Sequence, residues 1–193
     1  AAAAPSNRVI GYYQTRGDIY QSAPGTWLNL ANRPTIQISS GTGITILNPT
    51  TAGWMIENLI LDGNAKATSF AISSTSTWMT VYNCKVMNCT SGGIRWNGGS
   101  QHSIIACEAT SNSFPSFQPG STGDVVAFCY VHDNTAASSS GVTGTQVGQC
   151  FIGNLITNNT TQLHIDGDGD VSIGTTTTQG IFTIGTTSDA IFN

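Results

Sequence analysis

A repeat constrains this chain more than any other feature. Cys84, Cys107, Cys129 and Cys150 follow one another at steps of 23, 22 and 21 residues, and Leu59 stands 25 residues before Cys84. The neighbours of these five positions agree. Three residues earlier lie Ile56, Val81, Ile104, Val126 and Val147; two residues later lie Leu61, Val86, Ala109, Val131 and Ile152. An Asn follows shortly after, at Asn64, Asn88, Asn112, Asn134 and Asn154. A unit this short cannot bury an apolar face alone, so its copies must stack. A period in the low twenties, holding two or three short strands, predicts a parallel β-helix with like residues above one another at about 4.8 Å per coil.

Composition points the same way. Charged residues make up 8% of the 193, six Lys/Arg against ten Asp/Glu, where an average soluble protein carries roughly 25%. The helix formers Lys, Glu, Arg and Leu are scarce, and no stretch of about 12 residues carries a helical stripe. The chain is therefore expected to be all-β. A net charge of −4 leaves no basic stripe, so nucleic acid is not an expected partner. No run of about 18 apolar residues exists, so membrane insertion is not expected. The start, Ala1-Ala2-Ala3-Ala4-Pro5, has neither Met nor an apolar signal core, which predicts a processed chain or a piece of a longer one.

Between the copies a second strand is expected at residues 70–72, 93–96, 141–142 and 163–165, with 35–38 as an earlier member and the Pro-containing stretch 112–123 replacing it in one coil. Three regions follow: an N-terminal strand and cap region (1–34), the β-helix (35–160) and a C-terminal β-hairpin segment (161–193). A cap is needed because an open β-helix end exposes its core, and it should pack on the coil of Ile36 and Ile38. The four repeat cysteines are expected to form an internal column of buried thiols. Some twenty residues apart and without paired His, they do not have zinc-site spacing. Trp96, roughly in register with Ile72, is expected in the core.

The coil period, the apolar columns and the Asn turns resemble the right-handed pectate-lyase-like β-helix family, phage tailspikes included, over residues 35–160. The resemblance implies a right-handed parallel β-helix of about five to six coils. Activity stays open, because this architecture hosts lyases, glycosidases and non-enzymatic fibres. From Leu163 the pattern changes: Leu163-His164-Ile165-Asp166-Gly167-Asp168-Gly169-Asp170-Val171-Ser172-Ile173-Gly174-Thr175-Thr176 reads as a hairpin about a Gly/Asp turn. This is similar to an element near the C-terminal ends of phage tail fibres and tailspikes, with Asp170 in the place of an Asn. That resemblance implies a homotrimeric structural virion protein, on the virion or extracellular. Its partners would be other virion proteins and a cell-surface polysaccharide or receptor.

The residue after each Cys, or after Leu59, should point outward: Ile60, Lys85, Glu108, Tyr130 and Phe151. Lys85 and Glu108 fall on adjacent coils and can pair. Apolar members of such a face suit a partner surface or a sugar ring, so Ile60, Lys85, Tyr130 and Phe151 are the candidate binding residues. Glycoside hydrolysis needs two carboxyl groups about 5–9.5 Å apart. Glu108 and Asp133 on adjacent coils, with His132 as an acid or base, are the candidate catalytic cluster. Asp166, Asp168 and Asp170 are candidate cation ligands, although Val171 and Thr177 stand where a calcium loop would need Gly and Glu. No cofactor is expected. Two further readings remain: a polysaccharide depolymerase on this scaffold, and an ice-binding solenoid, which would need an outward Thr ladder that the column after each Cys lacks.

Overall fold

Strands of three residues whose middle residue is apolar can bury only one side chain each, so many must be stacked to enclose a core. Val81, Val86, Ile104, Ala109, Val126 and Val131 are such middle residues, and each is 0% exposed. The computed structural model describes residues 7–12, 33–66, 70–134, 140–144, 148–159 and 161–165. Coil by coil, the strands are β1 (Asn7–Ile10) and β2 (Thr35–Gln37); β3 (Trp54–Glu57), β4 (Ile60–Asp62) and β5 (Ile72–Ser74); β6 (Thr80–Tyr82), β7 (Lys85–Met87) and β8 (Ile94–Trp96); β9 (Ser103–Ile105), β10 (Glu108–Thr110) and β11 (Phe117–Gln118); β12 (Val125–Ala127), β13 (Tyr130–His132) and β14 (Ser140–Gly144); β15 (Cys150–Ile152), β16 (Leu155–Thr157) and β17 (Thr161–Ile165).

The chain visits three sheets in turn and returns one rung higher each time. The first sheet runs β1-β3-β6-β9-β12-β15, the second β2-β4-β7-β10-β13-β16 and the third β5-β8-β11-β14-β17. Every strand pairing among the described residues is parallel. The described residues contain no helix. The chain is thus an all-β parallel β-helix, as the repeat predicts.

Three inward columns make the core. The first sheet stacks Val9, Ile56, Val81, Ile104, Val126 and Phe151. The second stacks Leu61, Val86, Ala109, Val131 and Ile156, with Ile36 in register beside Leu61 but exposed. The third begins Ile72, Ile94, Phe117 and Val142. Burying such side chains stabilises by roughly 1.5–3 kcal/mol each.

The last copy of the repeat needs correction. Cys150 pairs with Val125 in the first sheet and is exposed, so it is outside the Cys column. Asn154 takes that place: its Oδ1 accepts from Cys129 N at 2.9 Å, as Cys129 Sγ accepts from Cys107 N at 3.5 Å. Phe151 and Ile156, not Val147 and Ile152, therefore continue the apolar columns. The turn column likewise runs through Asn112, Asn134 and Asn159, with Cys89 rather than Asn88 below them. Residues 35–37 pair with β4 and belong to the second sheet. The stretch 112–123 holds the third-sheet strand β11 instead of replacing it. Trp96 is in the core as expected, but in register with Ser74, not Ile72.

Asn7–Ile10 is the first rung of the first sheet, paired with β3. The rest of the expected cap, apart from residues 11, 12, 33 and 34, lies outside the described residues. So do the Gly/Asp turn and second arm of the expected C-terminal hairpin; residues 161–165 pair parallel with β14.

The corners are built alike. Between the first and second sheets Asn58, Asn83, Ala106 and Phe128 have φ of 59, 50, 52 and 54°. After the second sheet Asn88, Ser111, Asp133 and Asn158 have φ of 54, 57, 54 and 51°. Before the first sheet, Trp78 and Gln101 (φ 56 and 61°) share the column with Gly53, Gly123 and Gly148. At these corners one left-handed residue lets three-residue strands turn sharply, and Asn accepts that conformation most readily after Gly; the corner after β4 has two, Asn64 and Ala65, at 53 and 51°.

Carbonyls of the first sheet that lie beside the thiol column need donors. Cys84, Cys107 and Cys129 supply them: their Sγ atoms reach Ile56 O, Val81 O and Ile104 O at 3.6, 3.5 and 3.5 Å. At the next rung Asn154 Nδ2 reaches Val126 O at 2.8 Å. The thiols are free, with no disulfide among them. Burial pushes Cys84 and Cys107 well above the usual thiol range, so both stay protonated donors.

Candidate functional site

Inward and outward positions alternate along β10 and β13, so with Ala109 and Val131 inside, their flanking residues face out. Register then sets Lys85, Glu108, Tyr130 and Leu155 side by side along the second sheet. A parallel column runs Met87, Thr110, His132 and Thr157. Glu108 and His132 thus occupy neighbouring strands on a diagonal, and Asp133 is the corner residue after His132.

The three expected catalytic candidates meet. His132 Nε2 is 3.2 Å from Glu108 Oε1, and His132 Nδ1 is 2.7 Å from Asp133 Oδ2. Lys85 Nζ donates to Glu108 Oε1 at 2.8 Å, giving the ion pair expected from the spacing. The Tyr130 ring stacks on the His132 ring at 3.9 Å between centroids, 19° from parallel. Glu108 is 7% exposed, and its Oε2 is enclosed without a hydrogen-bond partner. Asp133 is open to solvent, and hydrogen bonds from His132 and then Asn158 hold its carboxyl below the usual range.

This arrangement can move protons. One imidazole bridges two carboxylates, so a proton on either ring nitrogen has an acceptor. The exposed Tyr130 ring offers an apolar platform beside these polar groups.

The binding candidates divide. Ile60, Lys85 and Tyr130 share the outward column. Phe151 does not: it packs from the first sheet against the core, because the last coil follows Cys129 by 25 residues and Leu155 takes the outward place. Leu155 is 60% exposed, and Phe128, at the preceding corner, is 65% exposed. Counting residues from Cys150 missed Leu155; aligning the apolar columns on Phe151 and Ile156 would have found it. Asp166, Asp168 and Asp170 lie outside the described residues, among which no cluster of three metal-ligating side chains occurs.

Two groups carried no sequence signal. His102 is fully buried: Nδ1 is 2.6 Å from Asp124 Oδ1, Nε2 is 2.6 Å from Ser76 O, and Trp96 stacks on the ring at 5.0 Å. It ties three coils together from inside. On the third sheet, Arg95 lies over the Phe70 ring, 4.7 Å from its centroid. No family model, curated protein or solved structure matches this chain.

Proposed function

We propose that this chain is the β-helical body of an attachment fibre of the tailspike kind, which binds a cell-surface polysaccharide through the outward side of its second sheet. The observation that carries the reading is the Tyr130 ring, exposed and stacked on His132, beside the open carboxylate of Asp133. Sugars are bound by that combination: a flat apolar ring against C–H faces, with charged acceptors for hydroxyls at its edge. Leu155 and Phe128 extend the apolar surface toward the C-terminal rungs. The virion setting, the homotrimer and contacts with other virion proteins follow from the likeness to tail-fibre sequences and belong to the same proposal. A trimer also suits a rod with exposed apolar side chains.

The test is binding to a panel of purified bacterial surface polysaccharides, with sedimentation to establish the assembly. Tyr130→Ala should weaken binding about tenfold, near the upper range for loss of a ring contact. A panel bound by nothing, or bound equally by Tyr130→Ala, would sink the reading.

One observation favours a second reading, a polysaccharide depolymerase. The Glu108–His132–Asp133 chain supplies two carboxyl groups and a proton carrier at one place. Release of reducing ends from a bound polysaccharide, abolished by Glu108→Gln, would establish it; binding without release excludes it.

A further inference from the structure

Around the corner from the second sheet, on the outward side of the third, lies a separate cavity of about 390 Å³, within the ~300–1,000 Å³ of small-ligand sites. Among the described residues it is lined by Phe70, Ser91, Arg95, Phe114, Pro115 and Gln118. Its construction follows from the register. Arg95 and Gln118 are adjacent outward residues of β8 and β11. Gly92 lets the Phe70 ring come close: a Cβ there would stand 2.9 Å from the ring and 2.7 Å from Pro115 O.

Arg95 is the unusual member. Guanidinium groups are always charged and normally meet a carboxylate when partly enclosed. Among the described residues no acidic side chain forms an ion pair with Arg95. Its Nε is buried without any acceptor, and an aromatic ring covers one face. A half-buried donor left this way in an acidic chain calls for an anion from outside. Phe114, 46% exposed at the rim, adds a ring that a ligand can stack on, and Ser91 and Gln118 add hydroxyl and amide groups.

We propose that this cavity binds a carboxylate-bearing sugar, with Arg95 taking the carboxylate and Phe114 the apolar face of the ring. The proposal rests on the glycan-attachment reading for the class of ligand, and on Arg95 for its charge. The site is distinct from the Tyr130 face and would hold an acidic residue of the same glycan or of a second one.

Calorimetric titration of the intact chain tests it, using a glucuronate-containing hyaluronan tetrasaccharide against neutral chitotetraose of equal length. The acidic tetrasaccharide should bind more tightly than the neutral one. Arg95→Gln should weaken it about tenfold or more, the scale of a lost hydrogen bond to a charged group, and Phe114→Ala should weaken both sugars. Equal affinity for the two sugars, or an Arg95→Gln variant that binds like wild type, overturns the proposal. Should chitotetraose bind and Tyr130→Ala alone abolish it, the attachment reading stands while this site falls. Arg95→Lys controls for folding: it keeps the charge and should recover part of the affinity.

Discussion

Individual residues show how few charges the fold uses and how closely each is placed. Glu108 sits almost enclosed because Lys85 and His132 face its Oε1. Asp62 is a second such case. Burial works against its carboxylate, but hydrogen bonds from Asn88, the Asn64 N–H and Gln37 outweigh it and hold the group below the usual range. A carboxyl depressed in the folded state adds stability that is fully present above the unfolded value, near pH 4, and is lost as pH falls through the folded value. Asp62 and Asp133 both behave this way. The urea midpoint of wild type should therefore exceed that of Asp62→Asn or Asp133→Asn above about pH 4, and the gap should close as pH falls further below it. A gap constant across that range would contradict the assigned hydrogen bonds.

Among the elements, the corners need as much explanation as the strands. Asn134 shows why Asn recurs: its Oδ1 accepts from Asn112 N at 2.8 Å, while its Nδ2 donates to His132 O at 2.9 Å and Asn159 Oδ1 at 2.6 Å. Only a side chain with both a donor and an acceptor can serve the coils on either side of it. Asn134→Ala should cost about 2–4 kcal/mol, since several buried groups lose partners worth roughly 1–3 kcal/mol each; equilibrium denaturation measures it. Asn134→Asp should cost as much, because it keeps the acceptor and loses the donor. The first and second sheets were legible in sequence because their apolar columns sit at fixed offsets from the Cys position. The third was half legible, because turns of varying length on its flanks blur the register, and Phe117 was hidden between two prolines. Cys150 misled for a related reason. The last coil is longer, so a cysteine four residues early stood at the expected step while an Asn did the column's work. The Glu108–His132–Asp133 cluster was legible because it lies in the second sheet; the Arg95 cavity was not, because it lies on the third.

For the whole molecule, the same register decides which groups solvent can reach. Four of the five cysteines are buried, and Cys150 alone is exposed. A thiol reagent on the native protein should therefore label one cysteine rapidly, and all five after denaturation. Rapid labelling of two or more would mean that the inner column opens to solvent. The rungs contact chiefly their neighbours, so stability should build up rung by rung. The left-handed corners carry a different consequence. Inward columns and corner residues are fixed by packing and by backbone conformation, whereas the outward strand positions answer to neither. A lineage of such chains can therefore exchange what the rod touches, one outward residue at a time, while its shape is inherited unchanged.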